Sequence, residues 1–219
     1  MINNEEEKIF ENEEEYSIIK DILTTYIINE ESTILIETDI NQDQNEIFNY
    51  SFKAEYYSSK ANSLIQLINN SYLDYIIEMR IDNVKINPCY EYNFSYAGNH
   101  IVYFLLDNNL DSFAYMFYDI LKLKSINFTG NSDLKNIKNM EYMLFFCDSL
   151  KNIDFSNLNT ENVLNMEAMF FHVYYIETLN LSSFNTQNVI NMKNMFNNCG
   201  FLKSADVSNF NTRNVIYME

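Results

Sequence analysis

The chain has no tryptophan, one proline, three glycines, three cysteines and two histidines in 219 residues. Each shortage closes off a class of chemistry. With so few glycines there is no G-x-G-x-x-G, Walker or G-x-S-x-G motif, so a phosphate cradle and a nucleophile elbow are not expected. His100 and His172 lack Cys, His or Asp at ligand spacing, so no zinc site is expected. Basic residues are scarce as well: 14 against 31 acidic, a net charge of −17, which argues against nucleic acid and anionic membrane as partners. No run of eighteen apolar residues exists, so membrane insertion is not expected. The opening MINNEEEKIFENEEE has no basic start, apolar core or cleavage site, and on this basis the chain reads as cytoplasmic. Neither cofactor nor catalysis is expected.

What is present is repetition over 143–219. Met143, Met169 and Met195 fall 26 residues apart, and so do Thr160, Thr186 and Thr212, and Asn162, Asn188 and Asn214. A fixed period in this range marks a repeat architecture. One half of each repeat places apolar residues as L-x-x-L-x-L: Leu150, Ile153 and Phe155, then Ile176, Leu179 and Leu181, then Leu202, Ala205 and Val207. That spacing predicts a short strand. The other half spaces Val163, Met166, Met169 and Phe170, and then Val189, Met192, Met195 and Phe196, by threes and fours, which predicts a short helix. The Thr and Asn residues ahead of it suit an N-cap. A looser first repeat holds Leu123, Ile126 and Phe128, then Ile137, Met140 and Met143, with one residue inserted within 130–133. The reading is α+β: a leucine-rich-repeat-type solenoid of about four turns of about 26 residues over 116–219.

Met143, Cys147, Ser149, Leu150, Ile153, Asp154, Ser156, Thr160, Asn162, Val163 and Met166 fit, slot by slot, the pattern M-F-x-x-C-x-S-L-x-x-L-D-L-S-x-F-x-T-x-N-V-x-x-M. This resembles the repeat of BspA-like leucine-rich surface proteins, in the mycoplasma lipoprotein-associated and protist-like versions. Val173 in the Cys slot and Ala205 in a Leu slot depart from it. The resemblance implies a non-enzymatic module for protein binding or adhesion, and a cell-surface setting in place of a cytoplasmic one.

Ahead of the repeats, residues 1–30 carry nine acidic and two basic side chains and form an acidic tail and a helix, with an apolar stripe over 16–28. Residues 31–115 read as a small, mostly antiparallel β-domain that caps the repeats. Asp82 and Asn83 predict a tight turn, and 92–96 with 100–106 predict a hairpin, with His100 on its surface. Asp39, Asn41 and Asp43 imitate the start of a calcium loop, but Gln44 and Tyr50 stand where Gly and Glu are needed, so no calcium site is expected. Cys147 and Cys199 lie two repeats apart, about 10 Å at the spacing of neighbouring strands, beyond disulfide reach. With Cys89 they read as reduced, buried thiols.

The candidate site is the outward face of the repeat strands: Lys151, Asn152 and Asp154, then Glu177, Thr178 and Asn180, then Lys203, Ser204 and Asp206. Side by side they tile a polar surface suited to a protein partner. Tyr174 and Tyr175 read as packing near the loop into the strand. The chain stops inside a repeat, which leaves an edge on which a partner could stack. It also fits a fragment of a cell-surface adhesin, or the regulatory repeats of a larger enzyme whose catalytic domain lies beyond residue 219.

Overall fold

A computed structural model describes residues 50–128 and 134–219. The acidic tail and helix of 1–30, the strand expected at 33–36, the Asp39–Asn41–Asp43 imitation and the insertion at 130–133 lie outside these residues. Among them the strands in chain order are β1 (Phe52–Ser58), β2 (Ser63–Gln66), β3 (Ile76–Ile81), β4 (Val84–Ile86), β5 (Glu91–Phe94), β6 (Gly98–Leu106), β7 (Leu123–Phe128), β8 (Asn152–Asp154), β9 (Thr178–Asn180) and β10 (Ser204–Asp206). Six of them form one sheet in the order β4-β3-β6-β1-β7-β8, while β9 pairs with β10 and β2 with β5.

β7 is the joint of the molecule. It pairs antiparallel with β1 on one side and parallel with β8 on the other. The sheet therefore crosses the expected boundary at residues 115 and 116, and the core crosses with it. Phe52 on β1 stacks on Phe104 at 4.8 Å and meets Phe117 edge-on at 5.4 Å. Both geometries are ones that aromatic quadrupoles favour. Asp82 and Asn83 make the expected tight turn, with φ of 47° and 69°, between β3 and β4. The other expected hairpin does not form. β5 pairs with β2, whereas β6 lies between β1 and β3. His100 is not on the surface either: it is fully buried. Its Nδ1 lies 2.7 Å from Asp82 Oδ2 and its ring stacks on Phe94 at 3.8 Å, while the Tyr96 hydroxyl donates to the same carboxylate oxygen at 2.9 Å. A buried polar ring needs such partners, and they come from the β3–β4 turn and from the approach to β6.

The expected α+β leucine-rich-repeat solenoid, with a short helix in every turn, is overturned. Among the described residues the chain is mostly strand and turn, in mixed sheets, and its only helix is the 3-10 turn Asn70–Tyr75. The backbone hydrogen bonds show why no helix forms where the apolar spacing predicts one. The amides of Met166, Ala168, Phe170 and His172 bond the carbonyls of Asn191, Lys193, Met195 and Asn197 in the next repeat. The amides that follow in alternation, of Met169, Phe171 and Val173, bond the carbonyls of Met166, Ala168 and Phe170, three residues back. An α-helix would need all of these amides for its own carbonyls four back. The segment is instead a train of tight turns whose alternate amides point at the neighbouring repeat.

Two residues per repeat adopt a left-handed conformation, four apart: Tyr115 and Asp119, Tyr142 and Phe146, Ala168 and His172, Asn194 and Asn198. Each costs a non-glycine residue about 1–2 kcal/mol, and either would break a helix. Turns repeating at this interval bring a side chain inward every three or four residues, as a helix does. Met166, Met169, Phe170 and Val173 are accordingly all buried.

Thr160 and Thr186 are not helix caps. Each is buried, and each clamps the next repeat. Thr160 Oγ1 donates to Asn185 O and accepts from Asn185 N, and Thr186 does the same with Asn211. Local capping falls to Asn159, Asn185 and Asn211, whose Oδ1 atoms accept from the amides two residues on. Such side-chain turns compete directly with helix formation.

Among the described residues the three cysteines are unpaired. Cys147 is buried and its thiol donates to Phe117 O at 2.9 Å; Cys199 donates to Phe170 O at 3.1 Å. Burial pushes the Cys199 thiol up to about 11 and the Cys89 thiol up to about 12, and raises Cys147 further.

Two outcomes follow from this geometry. At Asn198, with φ of 61°, Gly is expected to be more stable than Val by about 1–2 kcal/mol, read from urea midpoints of the two variants. A helical segment would reverse that order, because Gly is the poorer helix former. Alkylation by iodoacetamide at neutral pH is expected to be slow in the native protein, with Cys199 modified first and Cys147 protected until unfolding. Mass spectrometry after timed quenching reads the order, and early modification of Cys147 would contradict its buried place.

Candidate functional site

All nine residues of the expected strand face are exposed. β8, β9 and β10 carry Asn152 and Asp154, Thr178 and Asn180, and Ser204 and Asp206, and each strand is preceded by Lys151, Glu177 or Lys203. In the β9–β10 pair, Thr178 stands beside Ser204 and Asn180 beside Asp206. Much of the hydrogen-bonding capacity of this face is spent internally. Asp154 Oδ1 accepts from the hydroxyl of Ser156 at 2.6 Å and its amide at 2.9 Å, Asn180 treats Ser182 in the same way, and Asp206 accepts from the Ser208 amide. The serine donors hold both Asp154 and Asp206 below the usual carboxylate range. Lys203 pairs with Glu177 at 2.6 Å, and this bond, with a smaller pull from Lys151, depresses the glutamate. The strand face is polar, and five of its nine side chains (Asp154, Glu177, Asn180, Lys203 and Asp206) are satisfied within the chain.

The turn halves build a second surface that the sequence reading passed over. Rings stack from repeat to repeat: Tyr115 on Tyr142 at 5.1 Å and 6°, Tyr118 on Phe145 at 4.9 Å and 3°, Phe145 on Phe171 at 4.7 Å, and Phe146 on His172 at 4.3 Å. The row continues from His172 to Tyr174, and from there to Tyr175 and Phe201. Tyr115, Tyr118, Tyr174, Tyr175 and Phe201 are each 37–50% exposed. Large rings so exposed and so contiguous are uncommon on a surface without a partner. Stacking contributes about 0.5–1.5 kcal/mol per pair, which offsets part of the left-handed strain at Tyr115, Tyr142, Phe146 and His172.

Gly200 has a specific place here. A Cβ on it would meet Tyr174 Cε2 at 2.4 Å, so the ring can lie against the backbone only because this residue is glycine. The row had a signal in the sequence: Tyr118, Phe145 and Phe171, and Tyr175 and Phe201, recur at the repeat interval of 26 or 27. These positions fall outside the inward columns, which is why a search for core residues missed them. Tyr174 and Tyr175 are part of this row as well as loop packing.

Carboxylates border the rings. Glu141 accepts from Asn165 Nδ2 at 2.6 Å and Glu167 from Asn191 Nδ2 at 2.8 Å, each across a repeat boundary. The Tyr142 hydroxyl donates to Glu167 Oε1 at 3.3 Å. Partial desolvation, together with the charges of Glu141 and Glu167, pushes the Tyr115 and Tyr142 phenols above their ordinary value. Asp148 holds His172 Nδ1 at 2.8 Å. Among the described residues, no three His, Cys, Asp or Glu side chains converge so as to hold a metal ion, and no helix is long and apolar enough to cross a membrane.

No curated protein matches the chain, and no solved structure does. Over residues 111–219, which take in the turns, the aromatic row and β7 to β10, the chain matches the family described as Mycoplasma protein of unknown function, DUF285.

Proposed function

We propose that the chain is a non-enzymatic protein-binding module that serves as a scaffold or in adhesion. The observation that carries this reading is the contiguous row of rings from Tyr115 to Phe201, joined by stacked and edge-on contacts and exposed at Tyr115, Tyr118, Tyr174, Tyr175 and Phe201. Apolar surface of this kind on a rigid frame is what a protein interface covers. The frame is rigid because every ring sits on a turn bonded to its neighbour, so little side-chain freedom is lost on docking. The BspA-like pattern of Met143, Cys147, Thr160, Asn162 and Met166 supports the adhesive version of the reading and a setting at the cell surface.

A second reading places the contact on the strand face, from Lys151 to Asp206. What favours it is that nine polar side chains, six on three successive strands and three just ahead of them, stand exposed.

A photo-cross-linking residue placed at Tyr118 or Phe201, and separately at Asn152 or Thr178, distinguishes the two. Protein adducts from the ring positions are expected, unchanged in the Lys151→Glu/Lys203→Glu variant and lost in Phe145→Ser. Adducts confined to the strand positions, and abolished by the charge swap, would move the contact to β8–β10. If neither face gives an adduct with protein from the source cells, the protein-binding reading fails.

A further inference from the structure

From Tyr115 to His172 the rings of neighbouring repeats stack through their faces, while Tyr174 meets Tyr175 and Phe201 edge-on. Tyr115 and Tyr142 are within 6° of parallel, Tyr118 and Phe145 within 3°, and Phe146 and His172 within 7°. Where a ring is sandwiched in this way, what remains for a partner is chiefly its edge. A sugar ring or a quaternary ammonium group needs a free aromatic face, so neither suits the interior of the row. Ring edges offer apolar contact to side-chain stems and polar tips at the tyrosine hydroxyls.

Two carboxylates beside the rings lack a cationic partner among the described residues. Asp119, Glu141 and Glu167 form no ion pair among the described residues, and Asp148 is met by His172. Lys193 occupies the column of Glu141 and Glu167 one repeat further on, and it is paired with Glu219 at 3.3 Å. Asn139 and Asn165 are neighbours in a parallel bridge, and Glu141 and Glu167 each follow two residues later. Neighbouring rungs of such a ladder lie about 4.8 Å apart, so two carboxylates of like charge are held side by side. Glu141 accepts one asparagine N–H, Glu167 accepts one asparagine N–H and the Tyr142 hydroxyl, and each keeps further lone pairs for a donor. A cation seated between them would relieve their repulsion and form a charge-assisted bond to each.

We propose that this face takes a lysine- or arginine-bearing segment of a protein partner, its methylene stems laid along the ring edges and its cationic heads on Glu141 and Glu167. The proposal rests on the protein-binding reading and names the chemistry of the partner. Charge complementarity carries it: Glu141 and Glu167 stand beside the rings with no ion pair of their own among the described residues, and long basic side chains satisfy the apolar and the acidic parts of the face together.

Fluorescence anisotropy of short labelled peptides on the full chain tests it. The probes are alternating Lys–Leu, alternating Glu–Leu, and Lys–Gly, which has the charge without the apolar stems. The Lys–Leu peptide is expected to bind, and the Glu–Leu peptide is not. Glu141→Gln with Glu167→Gln keeps the acceptors for Asn165 and Asn191 and is expected to weaken Lys–Leu binding about tenfold or more. Gly200→Ala, which must displace Tyr174, is expected to weaken it as well, and Lys151→Glu/Lys203→Glu is not. Circular dichroism checks that each variant is folded. Equal binding of Lys–Gly and Lys–Leu would reduce the effect to general attraction to an acidic protein and overturn the proposal. Unaltered binding in the Glu→Gln pair would also overturn it. If no peptide binds while cross-links still form at Tyr118 and Phe201, the partner chemistry is wrong and the protein-binding reading stands.

Discussion

The structure depends on the backbone bonds that join one repeat to the next. Alternate amides along each turn segment leave the repeat and close on carbonyls about 25 residues later. A buried amide must find an acceptor, and here the acceptor is supplied by the next copy of the same sequence. Position therefore matches position, and whatever side chain a column carries is laid against its like. Buried Thr160 and Thr186 clamp successive loops. Asn136, Asn162, Asn188 and Asn214 each donate to a carbonyl one repeat earlier. The high asparagine content is thereby given structural work: a short amide side chain can cap its own turn or reach across to the neighbour, and it tolerates a positive φ better than most residues.

The same constraint produces the two surfaces and makes them unlike. On the strand side, residues two apart satisfy one another, as Asp154 does Ser156, and charges pair across neighbouring repeats, as Lys203 does Glu177. On the turn side, the columns hold rings, most of which stack, and the carboxylates of Glu141 and Glu167, which form no ion pair among the described residues. One face therefore has little left to offer a ligand, and the other has apolar edges and uncompensated charge. β7 ties this arrangement to the antiparallel sheet, since its two edges are bonded to β1 and β8 and its buried side, with Leu123, Ile126 and Phe128, belongs to one continuous core.

Much of this could be read before the structure was seen. The interval of 26, the inward columns through Leu150, Phe155, Met166 and Met169, the turn at Asp82 and Asn83, and the exposure of the nine strand residues all follow from local pattern. Amphipathic spacing reports which side chains face inward, and it does so whatever the backbone between them is doing. For the same reason it misled over the turn half. Val163, Met166, Met169 and Phe170 are spaced as on a helix, but a train of tight turns with left-handed residues at Ala168 and His172 brings the same side chains to the core. His100 was misplaced because its partner Asp82 is 18 residues away and belongs to another turn.

The sequence by itself determined the period, the identity of the buried columns and the excess of negative charge, because these depend on residue type and spacing alone. Only the tertiary structure decided that the amides are shared between neighbours and not closed into helices, because that choice depends on carbonyls some 25 residues distant in the chain. It also decided that Tyr118, Phe145 and Phe171 meet face to face beside Glu141 and Glu167, because a surface column exists only once the repeats are stacked.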